Sequence, residues 1–296
     1  MKTGVSSMKK NLIAVSLVWS LAIFGGTVGF ADQGGEPEGG KVPAFDRVVY
    51  VIFENTNQAV AAAQPYFKSL LSRGGSLQNH YGTARPSQPN YISMISGATY
   101  NVITNNNVNL EGRHIGDLLE ERGKTWKAYG EGYPGNCFTG GTYNGYARKH
   151  LPFMSFNNVR TRPERCANIR PAQEFYTDLA QGTLPHFSMY VPDNKNSGHD
   201  TGVGYSDQWL SKTWGPIFSN PESYPGTLFV VTFDEAGNDW KNKIYTVLLG
   251  DKVKPGSQFT GKSNHHSLLR TVEDALGLDR LGTGDATSLS IGDIWL

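Results

Sequence analysis

The chain is short of the features that announce a chemistry outright. It has 2 cysteines in 296 residues, too few for a disulfide-built scaffold. Neither Cys137 nor Cys166 lies in a CxxC or Cys-His spacing, so there is no case for a zinc finger or a dithiol redox centre. Charge of neither sign is in surplus: 27 Lys and Arg against 26 Asp and Glu give a net charge of +1, and no basic excess recommends a nucleic-acid partner. Beyond Ala31 no apolar run reaches the about 20 residues that a membrane span needs. Internal repeats and N-x-[ST] acceptor sites are also missing.

What is present begins at the N-terminus. Lys9 and Lys10, the apolar run 12–26 and the small-residue site Gly29, Phe30, Ala31 read as a cleaved secretory signal over 1–31. Stretch 32–44, rich in Gly, Glu and Pro, has the composition of a flexible leader. Hydrophobic residues make up 38% of the chain, enough to fill one sizeable core, so 45–296 is expected to be a single domain. Export makes a Cys137–Cys166 disulfide the default, and it would pin the loop-rich stretch around it. The expected partner is a small solute, with no stable membrane insertion after cleavage; oligomeric state is open.

Two stretches, RVVYVIF at 47–53 and TLFVVTF at 227–233, are continuous apolar runs rich in β-branched residues, the pattern of strands buried on both faces. Further strands are expected at 76–81, 125–129, 186–191 and 244–249. Helices are expected at 64–72, 115–122, 171–180, 206–218 and 266–276. Strands alternating with helices predict an α/β protein with a mostly parallel sheet covered on both faces. Residues 130–170 show no sustained period and read as a long functional insertion.

In such sheets ligands gather outside the carboxyl ends of the strands. Both strong strands end in polar pairs there, Glu54 with Asn55 and Asp234 with Glu235. These are either ordinary polar exits or an oxygen-ligand set for a hard divalent cation, Mg, Ca or Mn, with Zn or Fe also compatible. The stretch ARPSQPNYISMISG at 84–97 adds Ser87 at a loop-to-helix junction, where it reads as an N-cap with Pro89 in the first turn. A helix start also attracts anions, and Arg85 would add a forked cation for phosphate. Among the histidines, His199 in SGHDTG has Asp200 to fix its tautomer, and His265 opens a helix; either could serve as a general acid. His80, His114, His150 and His186 read as packing or surface residues.

Taken in order, VIFENT, ARPSQPNYISMISG, NSGHDTG, VVTFDEAG and NHHSLLRTVEDALGL resemble the phosphoesterase family of secreted acid phosphatases and phospholipase C-like enzymes, a branch of the alkaline phosphatase superfamily. The resemblance implies a doubly wound α/β fold and hydrolysis of phosphate esters through a phosphoserine. It implies Ser87 as nucleophile and metal ligand, and Glu54, Asn55, Asp234 and Glu235 as the metal set, with Asn55 also placed to touch phosphate. His199, Asp200 and His265 match its histidine-bearing loop and final helix. Arg85, Glu235 and the NSGHD order depart from the family's usual residues, and no two-zinc ligand set is present; one metal per site is expected. Two other functions fit the same residues: a phospholipase C-type phosphodiesterase, and a non-catalytic binding protein for a phosphorylated or polyanionic ligand.

Overall fold

The computed structural model describes Met1 and residues 40–296. The expected signal and the greater part of the leader lie outside the described residues. The leader's last residues are not free of the fold: Val42 packs on the core and the Gly40 carbonyl accepts from Ser290 Oγ at 3.2 Å. Among the described residues no helix is long and apolar enough to cross a membrane.

Among the described residues ten strands form in chain order: β1 Arg47–Phe53, β2 Gly75–Tyr81, β3 Trp126–Gly130, β4 Thr142–Tyr143, β5 Tyr146–Ala147, β6 Ile169–Pro171, β7 Phe187–Val191, β8 Thr227–Phe233, β9 Thr246–Leu249 and β10 Gln258–Asn264. Eight build one sheet in the order β10-β2-β9-β8-β1-β7-β3-β6, while β4 and β5 form a separate hairpin. All neighbours in the large sheet run parallel except β9, which is antiparallel to both β2 and β8. The sheet is therefore mixed but mostly parallel, as the alternating pattern predicts.

Among the described residues ten α-helices lie between or after these strands: α1 Gln58–Ala62, α2 Pro65–Leu71, α3 Ser87–Ser96, α4 Ile115–Glu121, α5 Asn157–Arg160, α6 Pro163–Cys166, α7 Gln173–Gln181, α8 Val203–Phe218, α9 His265–Leu276 and α10 Gly284–Thr287. Alternation along β1 divides the core. Val48, Tyr50 and Ile52 face a layer containing Ile92 of α3, Leu118 of α4 and Leu269 of α9. Val49, Val51 and Phe53 face Phe67 of α2, Phe175 of α7 and Trp214 of α8. Period-two side chains with helices on each side are what a doubly wound sheet requires.

Residues 130–170, expected as a loop-rich insertion, hold the short β4–β5 hairpin, α5 and α6 and lead into the edge strand β6. The missed β10 is QFTGKSN, exposed over most of its length; without a buried face it carries no alternation to read.

Candidate active site

The site is built by strand register. β1 and β8 are adjacent, parallel and paired so that Phe53 stands opposite Phe233. The next residue of each strand is an acid, so Glu54 and Asp234 leave the sheet side by side, about 4.8 Å being the spacing of neighbouring strands. Backbone bonds lock this exit: Asp234 N donates to Phe53 O at 2.9 Å, and Asn55 N donates to Asp234 Oδ1 at 2.9 Å. Asn55 takes a left-handed φ of 52°, a conformation that Asn tolerates. Gly237, at φ 58°, lies so close that a Cβ there would sit 2.5 Å from the Asn55 carbonyl oxygen. Both strands have thus already turned into loop where the second polar residue of each pair stands.

Ser87 reaches these acids from β2. It is the first residue of α3 rather than its cap: Pro86 holds the N-cap position with no side-chain capping bond. This corrects the capping expectation by one residue and frees the hydroxyl. Ser87 Oγ lies 3.1 Å from Glu54 Oε2 and 3.3 Å from Glu235 Oε1. Its proton can go to only one carboxylate at a time. Asn90, one turn on, ties the loop down by accepting from Ala84 N at 2.8 Å and donating to Ala84 O at 2.9 Å.

The remaining expected residues divide between the cleft and its supports. Arg85 donates to Glu235 Oε2 at 3.2 Å, to Gly237 O and to Asp239 O. Its guanidinium holds the loop after β8 at the rim rather than presenting a free fork. His199 and Asp200 stand on the β7 loop with Nδ1 and Oδ1 2.7 Å apart. Lys149 Nζ lies 3.2 Å from His199 Nε2; since an ammonium only donates, Nε2 accepts and the ring proton is on Nδ1, facing Asp200. His265 is fully buried, and its Nε2 donates to the Asp234 backbone carbonyl at 2.7 Å. Burial lowers its pKa to about 4, so it is neutral at pH 7 and stands behind Asp234 instead of lining the cleft.

His150, expected to pack or to lie at the surface, does pack, and it also meets the acids. It is 1% exposed, stacks on Tyr91 with ring centroids 5.0 Å apart, and puts Nε2 3.2 Å from Glu54 Oε1. Tyr91 donates to the same Glu54 oxygen at 2.6 Å. Sequence offered no signal for His150 or Lys149, which lie in the aperiodic stretch, and Tyr91 reads as one more apolar residue of a helix. Arg148 brings both neighbours in: buried, it donates to the carbonyls of Thr139, Val108 and Met154. The Cys137–Cys166 disulfide, with Cα atoms 5.7 Å apart, ties the same stretch to α6.

Three buried acids in contact are electrostatically unfavourable on their own. Burial first, then the neighbouring Asp234 charge, pushes Glu54 well up. Burial and Glu235 raise Asp234 to about 7, and burial also raises Glu235, against the pull of Arg85. His150 is held well below the usual imidazole range by burial and by Lys149. Asp234 Oδ2 is buried with no hydrogen-bond partner. Glu54, His150 and His199 turn ligand atoms to within 4.8 Å of one another. Carboxylates that resist ionisation because they are buried together, beside neutral imidazole, form a donor set that fits a divalent cation.

Comparison with known proteins gives the family and the fold. The profile described as Phosphoesterase family matches residues 57–279. A Kluyveromyces lactis protein named probable acid phosphatase is 31% identical over 84% of this chain, which spans 62% of that relative's length. A Mycobacterium tuberculosis protein named phosphatidylinositol-3-phosphatase is 30% identical, with 100% of this chain and 99% of the relative covered. Among solved structures, a protein in the alkaline phosphatase superfamily from Vibrio parahaemolyticus superposes with a TM-score of 0.59 at 15% identity, covering 86% of this chain and 72% of that one; that likeness speaks for the fold.

Proposed function

Because the chain belongs to the phosphoesterase family, we propose that it is an exported, metal-dependent phosphomonoesterase of acid phosphatase type that works through a phosphoserine at Ser87. The observation that carries this reading is the Ser87 hydroxyl set between the Glu54 and Glu235 carboxylates, 3.1 and 3.3 Å away. The relatives' names, acid phosphatase and phosphatidylinositol-3-phosphatase, favour a monoester over a diester. The Cys137–Cys166 disulfide and the signal-like start support export to an oxidising compartment.

Glu54, Asp234 and His150 would hold a divalent cation, with Asn55, Ser87, Glu235 and His199 beside them, and such a cation would polarise a phosphoryl oxygen and lower the pKa of the serine hydroxyl. Ser87 Oγ bonds to phosphorus while its proton passes to Glu235, the less buried of its two carboxylate neighbours. The bond from phosphorus to the leaving oxygen breaks, and His199, held at Nδ1 by Asp200, passes to that oxygen the proton that Lys149 donates at Nε2. Water then attacks the phosphoserine, the phosphorus–Oγ bond breaks, and Ser87 recovers its proton. His265 is a positioning residue for Asp234 in this scheme, and Lys149 and the α3 start offer positive charge to the phosphate.

Hydrolysis of an aryl phosphate by the wild type and by Ser87→Ala, each with and without a chelator, tests the proposal. A loss of at least about a thousandfold in kcat/KM is expected for the variant, together with loss on chelation that added metal restores. Undiminished turnover by folded Ser87→Ala would exclude the mechanism.

A further inference from the structure

A second cleft, of about 830 Å³, opens beside the loop that Arg85 grips. Its walls continue those of the serine site. Thr83 lines it two residues before Arg85, and Trp240 and Lys241 line it just past Gly237 and Asn238, which face the serine cleft. Asn242 joins the two segments by donating to Ala84 O at 3.0 Å. The far wall comes from the end of β10 and the start of α9, through Lys262 and Ser267, with Ser288 closing it.

The lining has an unusual balance for a chain of net charge +1. It contains Lys241 and Lys262 and neither Asp nor Glu. Neither ammonium is paired with a carboxylate among the described residues; Lys241 Nζ lies 5.3 Å from the centre of the Trp240 ring instead. Trp240 itself is 85% exposed at the rim, a large apolar face that a bound molecule would cover. The rest of the wall is mostly hydroxyls and amides. Two unpaired cations, polar groups and an aromatic platform suit a hydroxylated molecule bearing an anion.

Resting on the function above, we propose that this cleft receives the leaving-group side of the substrate, and that the leaving group is a polyhydroxylated one carrying a second phosphate. Lys241 and Lys262 bind that phosphate, and Trp240 covers the C–H face of the carbon skeleton. The reacting phosphate lies across the 237–242 loop at Ser87.

The test uses the full chain carrying Ser87→Ala, titrated by tryptophan fluorescence with fructose 1,6-bisphosphate and with fructose 6-phosphate. The bisphosphate should bind at least about tenfold tighter, and Lys241→Ala with Lys262→Ala should abolish that preference. On the Ser87 background the same lysine changes should lower kcat/KM for the bisphosphate about tenfold and leave that for an aryl phosphate with an uncharged leaving group within about twofold. Equal affinity for the two sugar phosphates, or a preference that survives loss of both lysines, overturns the proposal. So does binding to anionic phospholipid vesicles that depends on the lysines when binding of the soluble bisphosphate does not, since the surface would then dock a membrane. If Ser87→Ala retains aryl phosphatase activity, the catalytic reading fails separately; lysine-dependent selectivity would still stand as a binding result.

Discussion

The two halves of the candidate site reach the same point by different physics. Glu54 and Asp234 are delivered by the sheet: adjacent parallel strands, fixed in register by seven paired residues from Arg47–Thr227 to Phe53–Phe233, end together. His150 and Lys149 are delivered by the stretch 130–170, which is held by the buried Arg148 and the Cys137–Cys166 disulfide. The sheet half is fixed by a backbone ladder, whereas the insertion is fixed by side chains, with Leu151, Phe153 and Phe156 buried in the core on one face of the sheet. The first half sets what chemistry is available; the second sets how well it is held.

Removing an acid from the sheet half should have the largest effect. Glu54→Gln is expected to lower kcat/KM on an aryl phosphate by about a thousandfold or more with little change in Tm, because the change is nearly isosteric and relieves like-charge repulsion. A drop that is small, or matched by collapse of the fold, would break the division between the halves.

Loosening the insertion comes next. Cys137→Ser with Cys166→Ser should cost about 3 kcal/mol in denaturant unfolding, given a sequence separation of 29. The weaker hold on His150 should appear as lower metal affinity in a chelator competition. If metal affinity is unchanged, the disulfide does not support the site. His150→Ala, leaving the disulfide intact, is expected to weaken metal binding by roughly ten- to a hundredfold, read in the same competition; an unaltered affinity would assign His150 to packing after all.

The smallest effect is a control outside both halves. Glu273 of α9 is buried with neither carboxylate oxygen hydrogen-bonded, although Arg280 Nη1 lies 3.5 Å away. Burial, with Asp285 adding to it, raises its pKa to about 9 from an ordinary 4.5. A carboxyl whose pKa is raised by folding keeps its proton when folded and loses it when unfolded. Its stability contribution is therefore complete below about pH 4.5 and declines as pH rises toward about 9. Glu273→Gln should flatten that decline and stabilise the protein at pH 8 by about 1–2 kcal/mol, measured by urea unfolding at several pH values. An unchanged pH slope would show that Arg280 keeps the carboxylate charged.

How much of this was legible follows the same split. The acids could be found because each directly follows a continuous apolar strand, and Ser87 because it opens a helix beside Pro86 and Pro89. The disulfide followed from there being only two cysteines in a chain with a signal-like start. His150 and Lys149 could not be found, since the stretch around them has no period and Arg148 organises it through bonds to distant carbonyls. Arg85 was legible as a cation near Ser87 but not as a clasp on the 237–239 loop. The cleft with Lys241 and Lys262 combines the loop after β8 with β10, an exposed strand lacking alternation.

By itself the sequence determined the buried strands, the covering helices and the polar groups at their ends, because continuous or periodic apolar patterns have few ways to leave water. The tertiary structure alone decided that Phe53 pairs with Phe233, that Ser87 comes within hydrogen-bonding distance of two acids, and that His150 rather than His265 faces them. Those outcomes depend on strand order and register between residues some 180 positions apart, set by the packing of the whole sheet rather than by any local pattern.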